Sequence, residues 1–326
     1  MKKISVVVPC YNEEENVDAM AEAIRNEFSE HLPAYDYELI FIDNHSKDTT
    51  RDHIRLLVAK DPHVKAIFNV KNFGQFNSPY YGLTQATGDA AILMACDFQE
   101  PVELIREFVK GWEEGYKIVV GVKNKSRENP IVYFLRSCYY RLIRKFSDVD
   151  QIDQFNGFGL YDASFVRILG QLDDPTPFLR GIVAELGPEA KRITFTQPLR
   201  RAGKTSNNWY TLYDAAMLSF TSYTKIGLRI ATFTGFFGAA VSFVIAIVFL
   251  IKKLIDWYGF EAGMAPLIIM VSMLGSLQLL FIGLLGEYIL SINHRVMHRP
   301  IVVEEERIGI WEDPKHEDPA GNGAKQ

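Results

Sequence analysis

Hydrophobic and polar positions in the first 115 residues alternate between two patterns. Ile4–Pro9 is a nearly unbroken apolar run of strand length. It is followed by Val17, Met20, Ile24 and Phe28 at helical spacing, so Glu13–Phe28 is expected to be a helix. The alternation repeats. Tyr37–Ile42 reads as a second strand, and Ser46-Lys47-Asp48-Thr49 as a helix start with Ser46 at the N-cap, the helix running to about Lys60. Val64–Asn69 is a third strand, Asn77–Ala86 a helix stopped by Gly88, Ala90–Leu93 a fourth strand, and Val102–Gly111 a further helical stretch. Strand and helix signals in alternation predict a parallel, twisted sheet with helices on both faces. Ligands of such sheets sit just outside the carboxyl ends of the strands. The polar groups expected there are Pro9–Glu13, Asp43 and Asp97.

The later chain has a different pattern. Ile230–Ile251 runs for 22 residues, and Ala262–Gly286 for 25, without a charge. At about 1.5 Å per residue either could span a hydrocarbon core of roughly 30 Å. The expected division is therefore a catalytic domain over 1–208, an interfacial helix over 209–229, spans over 230–251 and 262–290 joined by a short loop 252–261, and a tail over 291–326 whose polar end is disordered. Trp257, Tyr258 and Phe260 in the loop suit an interfacial aromatic belt. Lys225 and Arg229 precede the first span, and Arg295 and Arg299 follow the second. The positive-inside rule then places both termini and the catalytic domain on the cytoplasmic side of the inner or plasma membrane.

Charge refines this picture locally. The net charge of −5 argues against a nucleic-acid partner, yet residues 121–145 hold seven basic residues and one acid, and Lys191–Lys204 holds five basic residues and no acid. Basic segments of this kind in a membrane-tethered chain suit a bilayer interface or a phosphate-bearing partner. Three unpaired-looking cysteines, Cys10, Cys96 and Cys138, read as reduced thiols. Lys2-Lys3 lead straight into a strand, so no cleaved signal peptide is expected.

The most informative chemistry lies in Met94–Pro101. Asp97 and Gln99 sit on the turn leaving the fourth strand. Oxygen ligands there suit Mg²⁺ or Mn²⁺, and such an ion suits a diphosphate.

These residues carry a resemblance. Val8-Pro9-Cys10-Tyr11-Asn12-Glu13, Asp43 through Thr50, Asn72-Phe73-Gly74-Gln75, Asp97-Phe98-Gln99-Glu100-Pro101, Phe178-Leu179-Arg180-Gly181, Arg200-Arg201-Ala202-Gly203 and Leu284-Leu285-Gly286-Glu287-Tyr288 together resemble family 2 glycosyltransferases of the polyprenyl-phosphate branch. That branch includes dolichyl-phosphate mannose synthase and the bacterial undecaprenyl-phosphate glucosyltransferases. The resemblance implies a GT-A-type (Rossmann-like), mostly parallel α/β sheet, then juxtamembrane amphipathic helices and a two-helix transmembrane hairpin. It implies a nucleotide-sugar donor, UDP-linked rather than GDP-linked, a polyprenyl phosphate acceptor in the bilayer, and a homo-oligomer. By the same resemblance Pro9, Tyr11, Glu13, Asp43 and Asp97 hold the nucleotide, and Asp97 and Gln99 hold the metal. Lys123, Arg136, Arg180, Arg200 and Lys204 meet donor and acceptor phosphates, with Asp97, Arg136 and Arg200 closest to the chemistry.

Two positions depart from the family pattern. The usual Asp-x-Asp has Ala95 in its first place, and a Gly-Asp-Phe element appears as Asn156-Gly157-Phe158. The second loss is tolerable, because a phosphate monoester with its second pKa near 6 attacks without a general base. Two other classes fit less well. A processive polysaccharide synthase would need more spans and a Gln-x-x-Arg-Trp motif, which the chain lacks. A non-catalytic membrane nucleotide-binding scaffold would fit Ala95 and Gly157, but not the retained Asp97, Gln99, Asp43 and basic residues.

Overall fold

A computed structural model describes residues 1–125, 152–172, 174–198, 200–202, 217, 226–255, 264–296 and 299–311. The chain divides into two compact units. One comprises Met1–Ser137, Val149–Asn207 and Met297–Gln326, the other Cys138–Asp148 with Asn208–Val296.

The first unit is built on strands β1 (Lys2–Cys10), β2 (Tyr35–Asp43), β3 (Val64–Asn69), β4 (Ala90–Leu93), β5 (Ile118–Lys125), β6 (Gly159–Asp162), β7 (Lys191–Thr196) and β8 (Glu304–Ile308). Helices α1 (Val17–His31), α2 (Thr50–Lys60), α3 (Gly74–Thr84), α4 (Leu104–Glu113), α5 (Ala163–Gln171) and α6 (Leu179–Leu186) flank them. All eight strands form one sheet in the order β7-β5-β6-β4-β1-β2-β3-β8. The four strands expected from sequence, β4-β1-β2-β3, are its parallel centre. The flanks make the sheet mixed rather than mostly parallel: β6 runs antiparallel to β4 and β5, and β8 antiparallel to β3.

The alternation of side chains in β1 explains the two layers. Ile4, Val6 and Val8 pack with Met20, Ile24 and Phe28 of α1 and Ile105 and Phe108 of α4 on one face. Val7 packs on the other, with Ile40, Ile42, Tyr80, Leu83 and the α5–α6 side chains. Each such side chain fully removed from water contributes about 1.5–3 kcal/mol. At Gly82 a Cβ would stand 2.9 Å from Ile42 and Val7, so glycine lets α3 lie directly on the sheet. Cys10 and Cys96 are buried free thiols in this core.

Several element boundaries differ from expectation. α1 begins at Val17, because Glu13–Asn16 form a turn against the next loop. α2 begins at Thr50, so Ser46 is not its N-cap; Asp48 instead accepts from the Thr50 N–H at 3.1 Å, and Ser46 Oγ accepts from Asn12. α3 starts early, at Gly74, because Asn44 and Asn72 Oδ1 atoms take the free N–H groups of Phe73 and Gly74. The expected tail is partly ordered: β8 closes the outer edge of β3.

In the second unit, α7 (Ile226–Ile255) covers the first expected membrane segment and extends beyond it at both ends, and α8 (Met264–Val296) covers the second from Met264 and runs past its end. Residues 252–255, expected in the connecting loop, continue α7. Among the described residues one window, Met273–Leu290 in α8, is long and apolar enough to cross a membrane; α7 does not reach that mark among them. Large apolar side chains on both helices are exposed, among them Phe233, Phe236 and Phe237 on α7 and Leu279, Leu280 and Ile282 on α8. The expected interfacial helix over 209–229 falls mostly outside the described residues.

Candidate active site

Four loops meet at the carboxyl edge of the central strands. Those after β1 and β2 are stitched together: Asn12 N–H donates to Ser46 Oγ, Lys47 N–H to Asn12 Oδ1, and Glu13 N–H to Thr50 Oγ1, each at 2.8 Å. The non-glycine residues with positive φ among the described residues all lie in these loops: Asn12 (56°), His45 (67°) and Phe98 (59°) after β1, β2 and β4, and Gln154 (59°) before β6. Backbone held in this region costs of order 1–3 kcal/mol per residue and clusters where ligands are clamped.

Asp97 is nearly buried and receives the Gln99 N–H on Oδ1 at 3.1 Å. Its Oδ2 lies 3.2 Å from Arg200 Nε as an ion pair. The same guanidinium donates through Nη2 to Glu13 Oε1 at 2.9 Å. Arg200 thus joins two carboxylates from two different strand ends. The segment stays over the loop through Arg201 N–H to Asp97 O at 3.4 Å and Asn16 Nδ2 to Ala202 O at 3.4 Å. Burial raises the pKa of Glu13, against the lowering effect of Asn16 and Arg200.

Asp43 is fully buried, and its carboxylate accepts from His45 N–H, Ser46 N–H and Arg51 Nε, the last at 2.6 Å. These donors tie Asp43 to the 44–46 loop and to α2, chiefly through Oδ2. Pro9 is half-buried inside β1, opposite Ile42, and Tyr11 is half-buried on the loop beyond. Arg180 donates to Phe155 O at 3.3 Å and lies over the Phe178 ring, which ties it to the loop before β6. Lys123 reaches the same loop through its N–H to Gln154 O at 3.4 Å. Arg136 and Lys204 lie outside the described residues.

The loop after β4 holds one more residue, which the sequence marks only as part of a motif. Glu100 is buried, and its carboxylate accepts from Ala95 N–H and Asn156 Nδ2, each at 2.6 Å. Burial pushes its pKa up to about 7, against the pull of Ala95, Asn156 and Lys123. A carboxylate therefore lies against the backbone of Ala95, the position where the family pattern has its first Asp. Gly157 also gains a reason: it stands at φ 107°, a conformation that disfavours an Asp.

Among the described residues, no three His, Cys, Asp or Glu side chains form a cage for an ion. Mg²⁺ rarely needs one, being held by one or two carboxylates together with substrate phosphates and water. Here the guanidinium between Asp97 and Glu13 marks a place that accepts positive charge, so the donor set fits a divalent cation bound with a diphosphate.

The model of the family described as glycosyl transferase family 2 matches residues 5–168. The chain belongs to that family. This glycosyltransferase is 32% identical over 300 residues to the bactoprenol glucosyl transferase of Shigella phage SfV, covering 91% of this chain and 96% of that one. It is 31% identical over 288 residues to the prophage bactoprenol glucosyl transferase homolog of Escherichia coli (strain K12), covering 88% and 93%. Among solved structures, glucosyl-3-phosphoglycerate synthase from Mycobacterium tuberculosis in complex with Mn²⁺, UDP and phosphoglyceric acid is similar with a TM-score of 0.47 and 16% identity, over 68% of this chain and 76% of that one. The glycosyltransferase has a GT-A-like sheet with helices, mixed where its motifs implied a mostly parallel one.

Proposed function

We propose that this glycosyltransferase moves a sugar from a UDP-linked donor to a polyprenyl phosphate, with inversion at the anomeric carbon, while α7 and α8 hold it as a hairpin in the inner membrane with the first unit on the cytoplasmic side. The observation that carries the reading is Arg200 set between Asp97 and Glu13 at the strand ends. Two carboxylates that converge on one guanidinium suit a place where a divalent cation and a diphosphate would meet, next to a second phosphate. The names of the bactoprenol glucosyl transferase relatives support the acceptor class.

In this reading the 9–13 and 43–46 loops cradle base and ribose, Asp43 acting through the loop it shapes. Asp97 and Gln99 hold the divalent ion on the donor diphosphate, where it would stabilise the departing charge as a Lewis acid. Arg200, Lys123 and Arg180, with Arg136 and Lys204, neutralise the phosphates of donor and acceptor. An acceptor phosphate oxygen forms the new bond to the anomeric carbon as the bond to the nucleoside diphosphate breaks. No protein base is required, because the phosphate is largely a dianion at neutral pH.

The test is transfer from radiolabelled UDP- and GDP-sugars to undecaprenyl phosphate by detergent-solubilised protein, with and without Mg²⁺ or Mn²⁺. A labelled lipid from one UDP-sugar, lost on chelation and in Asp97→Ala, is expected. Product formed equally well by Asp97→Ala would overturn the metal assignment, and no product from any donor would overturn the reaction.

A further inference from the structure

β8 follows the long helix α8 in the chain, yet it belongs to the sheet of the first unit. Its side chains do more than cover an edge. Glu305 Oε2 accepts from Arg51 Nη1 at 2.7 Å. Arg51 Nη2 donates to Asn69 O at 2.7 Å, and Arg51 Nε donates to Asp43 Oδ2 at 2.6 Å. All three arms of one guanidinium are thus engaged, and the innermost holds a carboxylate with no exposure to solvent. That carboxylate in turn receives the N–H groups of His45 and Ser46, and Ser46 Oγ receives the N–H of Asn12. The connections run without a gap from β8 to both loops assigned to the nucleotide. The Arg51 face of α2 also lies over Phe68 of β3, which fixes the guanidinium laterally.

We propose that Glu305 and Arg51 are positioning residues for the donor nucleotide: β8 holds Arg51, Arg51 holds Asp43, and Asp43 holds the 44–46 loop in its ligand-ready shape. The inference rests on the donor reading given above. The neighbouring pair Arg55–Glu306, at 2.7 Å between α2 and β8, serves as an internal control, since it is not joined to Asp43.

The experiment uses full-length protein in detergent, with Glu305→Gln, Arg51→Lys and, as control, Glu306→Gln. Mg²⁺–UDP binding is titrated, KM values are measured for donor and acceptor, and amide hydrogen exchange is followed at residues 43–50. Arg51→Lys keeps the charge but removes the fork that reaches three acceptors at once. Both relay variants are expected to bind UDP more weakly, Arg51→Lys by roughly tenfold and Glu305→Gln by about twofold to fivefold, since Glu305 is half exposed and acts only through Arg51. Donor KM rises alongside, acceptor KM stays unchanged, exchange at His45 and Ser46 accelerates, and Glu306→Gln matches the parent. Unchanged UDP binding in Glu305→Gln and Arg51→Lys overturns the relay. Equal losses in Glu306→Gln also overturn it, since they would reflect general loosening of β8. A parent protein that binds no UDP overturns the donor reading itself, whatever the exchange data at His45 and Ser46.

Discussion

At the scale of single residues, the site illustrates how a lost group can have a neighbour in its place. Ala95 stands where the family pattern has a carboxylate in the loop after β4, and Glu100 brings another against the Ala95 backbone, held by Asn156. The sequence pattern displayed Glu100 beside Pro101, but its burial and its link to a loop 56 residues away follow from tertiary contact alone. Glu100→Ala would leave the half-buried Ala95 N–H without its partner and release the exposed Asn156 amide to water. A loss of about 1 kcal/mol is expected from the lost hydrogen bonds, read as a lower Tm in detergent, together with a raised donor KM. A variant with parental Tm and KM would show that the link is dispensable. Asp43 shows the reverse case: its type and place at a strand end were legible, but its occupation by Arg51 was not, since Arg51 sits in a helical turn with no local pattern to mark it.

At the scale of elements, the central strands could be read from sequence because each is a compact apolar run buried on both faces. β3 and β4 were expected with the boundaries they have. β7 and β8 could not be read this way. Lys191–Thr196 and Glu304–Ile308 are largely polar edge strands, and their pairing depends on β5 and β3 rather than on their own periodicity. One helix start rests on a titrating group. Asp162 caps α5 by accepting the Ser164 N–H, and it also receives Trp112 Nε1 at 2.8 Å. Burial works to raise its pKa, and bonds from Ser164, Trp112 and Lys117 outweigh it, leaving the pKa at about 2 against an ordinary 3.8. A lowered carboxylate pKa stabilises fully above the unfolded value and is lost as pH falls through the folded one. Some 2 kcal/mol should therefore disappear between about pH 4 and pH 2. Asp162→Asn is expected to flatten the fall in Tm over the upper part of that window; a parental slope would place the acid sensitivity elsewhere.

At the scale of the whole molecule, the chain leaves the sheet for two long helices and then returns to it. The two long helices lie where the uncharged runs predicted them, with many apolar side chains exposed. The tail returns to the sheet, so cutting the chain before Ile230 would remove β8 as well as the helices. Replacing residues 226–296 with a flexible linker keeps β8 and tests the lipid platform alone. Transfer to long polyprenyl phosphates should drop by at least tenfold relative to short soluble acceptors, measured as the ratio of kcat/KM values. An unchanged ratio would remove the helices from acceptor selection.

The position of β8 also orders events during synthesis. Until residues 304–308 emerge, behind more than sixty residues of apolar helix, the outer edge of β3 carries unpaired N–H and C=O groups. A nascent or clipped chain therefore has an open sheet margin on which another strand can pair. The finished chain closes that margin itself, after the segments read here as its membrane anchor have been made.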